Sequence, residues 1–378
     1  MGESPANKKF LIWGTGNTAE ACFQSYSFIQ TLHCYEIIGF ATNTRRKWGT
    51  EFHGRPVFPP DRLREINYDG ISVWSKFHKE EILRQMRTEL RIPEEKIQDI
   101  FGPIREKLCL KYAGSADAEI LDTLRRVEER PDLTHFYFRP PEPEELPPGL
   151  DFRSHEVFFD DSCGLRFVLF EGKRLYLARS YNLFFSENGK ICTGNFWAEQ
   201  QPHSPHIYES PAVKVENGDV LVDAGACEGN FSLHHIDRVK RVYLIECQED
   251  WMEALRHTFA PYREKVVFLP AFLGEGDTER TACLDSLIPE PVDFLKMDIE
   301  GAERSALRGG TRLLSQNPGM KCSICAYHRH GDEAAIREIL TERGFSTEVS
   351  TGYMLFLLDE EVQRDPEFRR GIVRGVKR

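Results

Sequence analysis

No stretch of this sequence is apolar for long enough to cross a bilayer, so a membrane-spanning role is not expected. The opening MGESPANKKF has no apolar signal region before Phe10, and Ala6 stands where a myristoylation signal after Gly2 wants Ser or Thr. Positive charge is in short supply: 49 Lys and Arg face 60 Asp and Glu, a formal net charge of −11. Phosphate backbones need a basic face, so a general nucleic-acid binder is disfavoured. A disulfide scaffold is missing too. The 10 cysteines are scattered through a long chain, which suits reduced thiols and a cytoplasmic location. One C-x-x-C, Cys322 and Cys325, has no second pair and lies in the apolar run KCSICAYH. It reads as structural thiols, not as zinc or redox chemistry. No short-period repeat is present.

Against these absences, one stretch stands out. Residues 220–230 read VLVDAGACEGN: a short apolar run, an acid, two spaced glycines and then a helical pattern. Glycines let the backbone turn tightly, and the helix that follows presents free N–H groups. In an open α/β sheet such a turn marks a nucleotide-like cofactor.

The length of 378 residues implies two or three domains. Residues 8–104 alternate strand candidates (10–13, 35–42, 70–74) with helical patterns such as 78–90, which implies a parallel sheet. Residues 105–219 form a connector: a charged amphipathic helix at 116–130, the proline-rich acidic stretch 139–150, and short extended pieces at 156–160, 165–171 and 173–179, with a turn at Asn188-Gly189. Residues 220–361 carry strand candidates at 220–222, 241–245, 266–269, 292–297, 321–327 and 354–358. The fold class is therefore α/β, with two Rossmann-like doubly wound domains joined by a helical and small β-rich segment. The end, RRGIVRGVKR, carries five positive charges, and 362–378 reads as a solvated basic tail.

Ligands gather at the carboxyl ends of the strands of such a sheet. Asp223, Gly225, Ala226 and Gly229 follow the first strand of 220–361. Glu246 ends the second, 23 positions after Asp223, where an acid accepts bonds from ribose hydroxyls. A loop and then CLDSL, with Asp285, follow the third; Asp298 and Glu300 follow the fourth; His328 follows the fifth. The turn reads D-x-G-x-x-x-G instead of G-x-G-x-x-G, and the acid at the strand end suits a cationic or amino-bearing cofactor. Both features point to S-adenosylmethionine over NAD.

With FLKMDIEGAE added, residues 220–361 resemble the FkbM-like methyltransferases, S-adenosylmethionine-dependent enzymes that methylate hydroxyl oxygens. The matching stretches are VLVDAGACEGNFS, VYLIECQEDW, CLDSL, VDFLKMDIEGAERSALRGG and CAYHRHGDEAAIREIL through GFSTE to GYMLF. The resemblance implies a class I methyltransferase fold of seven strands, with 354–358 near the reversed edge strand. It also implies that Asp223, Gly225, Ala226, Glu246 and Asp285 lie near the cofactor.

Methyl transfer to oxygen needs acceptor and methyl held in line, and a group that takes the hydroxyl proton. Asp298, Glu300 and His328 are the candidate bases. Each has a plainer reading: Asp298 as a helix cap, Glu300 as a favourable charge at a helix start, His328 as an interior histidine. The same three can instead hold a divalent cation, but the ligand set of catechol-type enzymes is not found, so no metal is expected. Glu199, His206 and Tyr208 precede the first strand, as a lid over cofactor or acceptor or as ordinary linker packing.

Near the start, FLIWGTGNTAEACF gives a second turn, with Gly14, Gly16 and Asn17 as a nucleotide-type site. IIGFATN and HGRPVFPP resemble nucleotide-sugar-binding domains attached to bacterial polysaccharide enzymes. Thr42 and Asn43 stand where an NAD enzyme carries an acid. This domain is read as recognising a nucleotide-linked acceptor, or as a degenerate Rossmann domain used for packing or for a homo-oligomer. The function expected is O-methylation of a hydroxyl on a small molecule, a glycan or its precursor. The alternatives are an NAD-dependent sugar-nucleotide oxidoreductase and a non-catalytic nucleotide-binding scaffold.

Overall fold

A computed structural model describes residues 8–24, 35–75, 78–99, 101–129, 135–136, 156–181, 199–202, 204–357 and 359–378. The proline-rich stretch 139–150 and the turn 188–189 lie outside the described residues. The chain divides into two compact units: Met1–Phe136 with Leu355–Phe368, and Tyr137–Met354 with Arg369–Arg378.

The first unit is built on a five-stranded sheet. Its order is Glu51–Phe52, Arg55–Phe58, Tyr35–Ala41, Lys8–Trp13, Gly70–Val73. Every pair is parallel except the hairpin of Glu51–Phe52 with Arg55–Phe58. Phe10, Leu11, Ile12 and Trp13 are buried in sequence, as expected of a central strand covered on both faces. The helical pattern at 78–90 forms as the helix Lys79–Arg84 followed by a wider turn at Gln85–Glu89. The amphipathic stretch at 116–130 is the helix Ala118–Glu129.

The second unit holds a three-stranded antiparallel sheet, Phe158–Asp160, Leu165–Phe170 and Lys173–Leu177, and a seven-stranded sheet. The seven strands are β1 (Val220–Ala224), β2 (Arg241–Ile245), β3 (Val266–Leu269), β4 (Phe294–Met297), β5 (Lys321–Cys325), β6 (Phe345–Val349) and β7 (Ile372–Lys377). Their order is β3-β2-β1-β4-β5-β7-β6, with β7 antiparallel to both neighbours. β1 to β5 are parallel. The order reverses beside β1, so the open crevice lies at the carboxyl ends of β1 and β4.

Two expectations are corrected. Residues 354–358 do not supply the reversed strand: Leu355–Phe356 belongs to the first unit and pairs with His135–Phe136. The reversed strand is β7, inside the stretch read as a solvated basic tail. Ile372 and Val373 are fully buried, and Arg374 is only 5% exposed. The strand lies in the sheet because its backbone pairs on both sides and its cations find carbonyls. Lys377 Nζ donates to Leu314 O and Arg343 O at 2.7 and 2.6 Å. Arg374 donates to Ile207 O and Tyr208 O at 2.6 and 3.0 Å.

Candidate functional site

The glycine-rich turn after β1 is held shut by its neighbours. Gly225 has φ +72°, and a Cβ there would stand 1.6 Å from the carbonyl oxygen of Asp298. Only glycine lets the β1 and β4 strand ends approach this closely. Gly229 has φ +76°, and a Cβ there would meet Leu255 at 2.6 Å. The chain then enters the helix Asn230–His235. Glu246, at the end of β2, accepts from Cys227 N at 3.0 Å and from Gln248 N at 2.8 Å. A carboxylate has about four lone-pair sites, so Glu246 keeps acceptor capacity for hydroxyls beside the turn.

Asp223 behaves differently. It is fully buried. Its Oδ1 pairs with Lys296 Nζ at 2.9 Å, and its Oδ2 accepts from Ser232 Oγ at 2.7 Å. Lys296 also donates to Gly225 O at 2.7 Å. Asp223 therefore acts on a ligand only through the turn that it and Lys296 brace. Burial works to lower the Lys296 ammonium's pKa; the Asp223 and Asp298 carboxylates overcome this and hold it well above the usual lysine value. Sequence reasoning missed Lys296. The signal was present, since a lysine inside the apolar strand FLKM must be paired.

Asp298 stands at the end of β4 among donors. Tyr208 Oη donates to its Oδ2 at 2.9 Å, His206 Nε2 lies 3.4 Å from the same oxygen, and His328 Nε2 lies 3.4 Å from Oδ1. Tyr327 Oη donates to Oδ1 at 3.4 Å. Burial alone would raise the Asp298 pKa. The hydrogen bond and charge of His206, then His328 and Lys296, drive it far below the carboxylate range instead. Burial first, and Asp298 next, push the Tyr208 hydroxyl well above its ordinary value, so it stays a donor. Tyr327 is raised for the same reasons.

His328 faces acids through both nitrogens. Its Nδ1 pairs with Glu303 Oε1 at 3.0 Å, and its Nε2 lies 3.6 Å from Glu300 Oε2. Burial works to lower its pKa, but the contact with Glu303 and the charges of Asp298, Glu303 and Glu300 prevail and raise it to about 9. Glu300 is 92% exposed, with φ +55°, so it sits at the rim of the site. Glu303 is fully buried in the helix Glu303–Arg308. In DIEGAE it reads as a helix-surface acid, and sequence reasoning passed over it.

The stretch before β1 joins the cluster. His206 is 4% exposed, and its Nδ1 lies 3.7 Å from Glu199 Oε2. Burial raises the Glu199 carboxyl to about 7, with the Glu228 and Asp298 charges adding to the rise and His206 opposing it. Two sets of donor atoms lie within 4.8 Å of one another: His206, Asp298 and Cys325, and Asp298, Glu303 and His328. In the second set the imidazole already stands between the two carboxylates, as a cation would.

Asp285 is engaged by backbone groups. Both its oxygens accept backbone N–H groups, Arg312 at 2.7 Å and Leu313 at 2.8 Å, at the start of the helix Leu313–Gln316. The resemblance placed it near the cofactor; the structure uses it as a cap because the CLDSL helix packs against that helix start. Cys322 and Cys325 are both fully buried, and burial pushes Cys322 up to about 12. Thiols so held are inert.

In the first unit, the turn Gly14–Gly16 follows its strand as expected, and Asn17 opens the helix Asn17–Gln24. A Cβ at Gly14 would stand 2.3 Å from Trp74 O, so this glycine serves strand packing. Lys47 Nζ donates to Thr15 O at 2.6 Å. At the end of the second strand stands Thr42, which offers its carbonyl to Trp48 Nε1 at 2.8 Å, and the Glu20 carboxylate in the helix pairs with His53 at 2.9 Å.

Residues 263–347 match the methyltransferase FkbM domain, and residues 6–98 match the N-terminal domain described as C2185-like. No curated protein sequence matches the chain. Among solved structures, a methyltransferase FkbM from Methylobacillus flagellatus KT is similar over 98% of this chain and 90% of its own, with 16% identity and a TM-score of 0.52. A precorrin-6y C5,15-methyltransferase from Geobacter metallireducens GS-15 shares 14% identity over 44% of this chain and 84% of its own, at a TM-score of 0.33. A magnesium protoporphyrin IX methyltransferase from Synechocystis PCC 6803, solved with bound S-adenosylmethionine, shares 19% identity over 43% of this chain and 71% of its own, at 0.30. The first of these likenesses supports the α/β fold. The match over 263–347, which spans Asp298, Glu303 and His328, makes the second unit an S-adenosylmethionine-dependent methyltransferase domain. No described helix is long and apolar enough to cross a membrane.

Proposed function

We propose that the chain is an O-methyltransferase whose acceptor is a hydroxyl, on a glycan or a glycan precursor. The observation that carries this reading is the meeting of Asp298 and His328 at 3.4 Å, from adjacent strand ends beside the glycine turn. The 225–229 turn and Glu246 would hold S-adenosylmethionine, and Asp223 would contribute by bracing the turn. When bound, S-adenosylmethionine supplies an electrophilic methyl group on a sulfonium.

The remaining work belongs to the chain's own side chains. Asp298 stays ionised and accepts a hydrogen bond from the acceptor hydroxyl, which aims an oxygen lone pair. His328, in its neutral form, takes the hydroxyl proton at Nε2. Tyr208 and Tyr327 pin Asp298 by donating to it. Glu199 and His206 cover the cluster from the stretch before β1. Positioned general bases contribute roughly 10²- to 10⁴-fold, which sets the scale for losing His328.

The test has two parts. Calorimetry measures S-adenosylmethionine binding to the intact protein and to Glu246→Ala, with weakening of about tenfold or more expected, about 1.4 kcal/mol. Labelled methyl transfer to nucleotide sugars and cell-envelope extracts, with His328→Gln as the control, measures turnover. Absence of cofactor binding would falsify the reading. Firm binding with no labelled product in any fraction would turn it toward a scaffold.

A further inference from the structure

We propose that Glu303 is a positioning residue for the proposed base: it fixes the orientation and the protonation of His328 from below the site. This rests on His328 having the role given above.

Glu303 is the most enclosed acid of the cluster, with a side chain 1% exposed. Its Oε1 accepts from Ile299 N at 2.9 Å and pairs with His328 Nδ1 at 3.0 Å. Its Oε2 is buried with no hydrogen-bond partner. A buried carboxylate costs several kcal/mol unless a cation compensates it. No lysine or arginine pairs with Glu303 among the described residues, so the compensating cation is the imidazolium of His328.

The consequence for the ring is directional. Nδ1 lies 3.0 Å from Glu303 Oε1 as an ion-pair contact outside hydrogen-bond geometry, and Nε2 faces Asp298 at 3.4 Å and Glu300 at 3.6 Å. The other groups around the ring do not compete for Nδ1. Asp332 accepts from Arg329 N at 2.7 Å and pairs with Arg304 at 2.6 Å. Arg369 donates to the His328 carbonyl at 3.0 Å, which holds the backbone and leaves the ring free. The Tyr327 ring packs on the imidazole at 4.1 Å between centroids. Glu303 thus does for His328 what a buried carboxylate does for the histidine of a hydrolytic triad: it sets the tautomer and strengthens the base.

The test reads His328 directly. Nitrogen-15 NMR of the histidine rings, assigned with His328→Gln, follows protonation of the intact protein between pH 6 and pH 10, a range set about the ordinary histidine value. In the wild type, His328 is expected to be doubly protonated at neutral pH and to keep its proton on Nδ1 when it loses the other. Glu303→Gln keeps the shape and removes the charge, and should lower the His328 midpoint by about one pH unit or more. A neutral His328 at pH 7 in the wild type overturns the proposal whether or not the variant folds. An unchanged midpoint in a folded Glu303→Gln protein also overturns it. S-adenosylhomocysteine binding, measured by calorimetry on the same samples, separates this outcome from failure of the methyltransferase reading. That reading fails on lost ligand binding, whereas this proposal fails on an unmoved histidine.

Discussion

The chain contains two strand–glycine–helix turns, and they differ in what surrounds them. At the first, Gly14 is needed because Trp74 O leaves no room for a Cβ, while a Cβ at Gly16 would meet nothing within 4 Å. Lys47 Nζ is bonded to Thr15 O at that turn, and Glu20, one helical turn on, pairs with His53 at 2.9 Å. At the second, Gly225 is pressed against Asp298, and Asp223, Lys296 and Glu246 are all buried within a residue or two of the strand ends. The backbone device is shared; the chemistry comes from the acids that the neighbouring strands bring to it. A glycine pattern therefore locates a turn, and the ends of the adjacent strands decide what the turn can bind.

The comparison is tested most severely at Lys296. Lys296→Met fits an apolar strand but leaves Asp223 buried without its cation. Removing one partner of a buried pair costs about 3–5 kcal/mol, so denaturant unfolding should show a loss of that size. Adding Asp223→Asn should recover much of it, because the stranded charge is then gone. If Lys296→Met is as stable as the parent, the second turn is no more dependent on charge than the first.

Much of this difference is legible in the sequence. The strand candidates matching β1 to β5, the glycine turn and the strand-end acids Glu246 and Asp298 are all read from local patterns. What escaped has physical reasons. β7 carries the cations Arg374 and Lys377 among buried residues, and five positive charges in ten residues look like a solvated tail. The guanidinium of Arg374 is instead spent on the carbonyls of Ile207 and Tyr208, a contact between segments 166 or more positions apart that no local pattern reports. Glu303 lies in a helix start where acids are common, and its partner His328 arrives from a different strand end. The capping role of Asp285 has no local signature, because its two N–H partners lie 27 and 28 positions later.

A smaller effect is expected from pH. His328 has a folded pKa of about 9 against an ordinary value of 6.5. A raised basic group stabilises the fold fully below its unfolded value, and that stability is lost as pH rises through the folded value. The shift corresponds to about 3 kcal/mol, released between roughly pH 6.5 and pH 9. Thermal unfolding across this window should show the decline in the parent and a flatter course in His328→Gln. Glu199, raised to about 7 from 4.5, acts in the same direction over a lower window and is separable on that ground. If methyl transfer depends on neutral His328, its rate should rise over the same window in which stability falls.

The smallest effect is expected at Gly16. Its φ lies outside the left-handed region, and an added methyl meets open space. Alanine restricts the unfolded chain more than glycine does, so Gly16→Ala should leave stability within about 0.5 kcal/mol of the parent, with a slight gain as the favoured sign. It should leave S-adenosylmethionine affinity unchanged, because the acids that define that site stand at the other turn. Calorimetry and thermal unfolding on this one variant therefore probe both halves of the comparison. A folded Gly16→Ala protein that bound the cofactor tenfold more weakly would move part of the cofactor site to the first turn, and the division of labour between the turns would have to be redrawn.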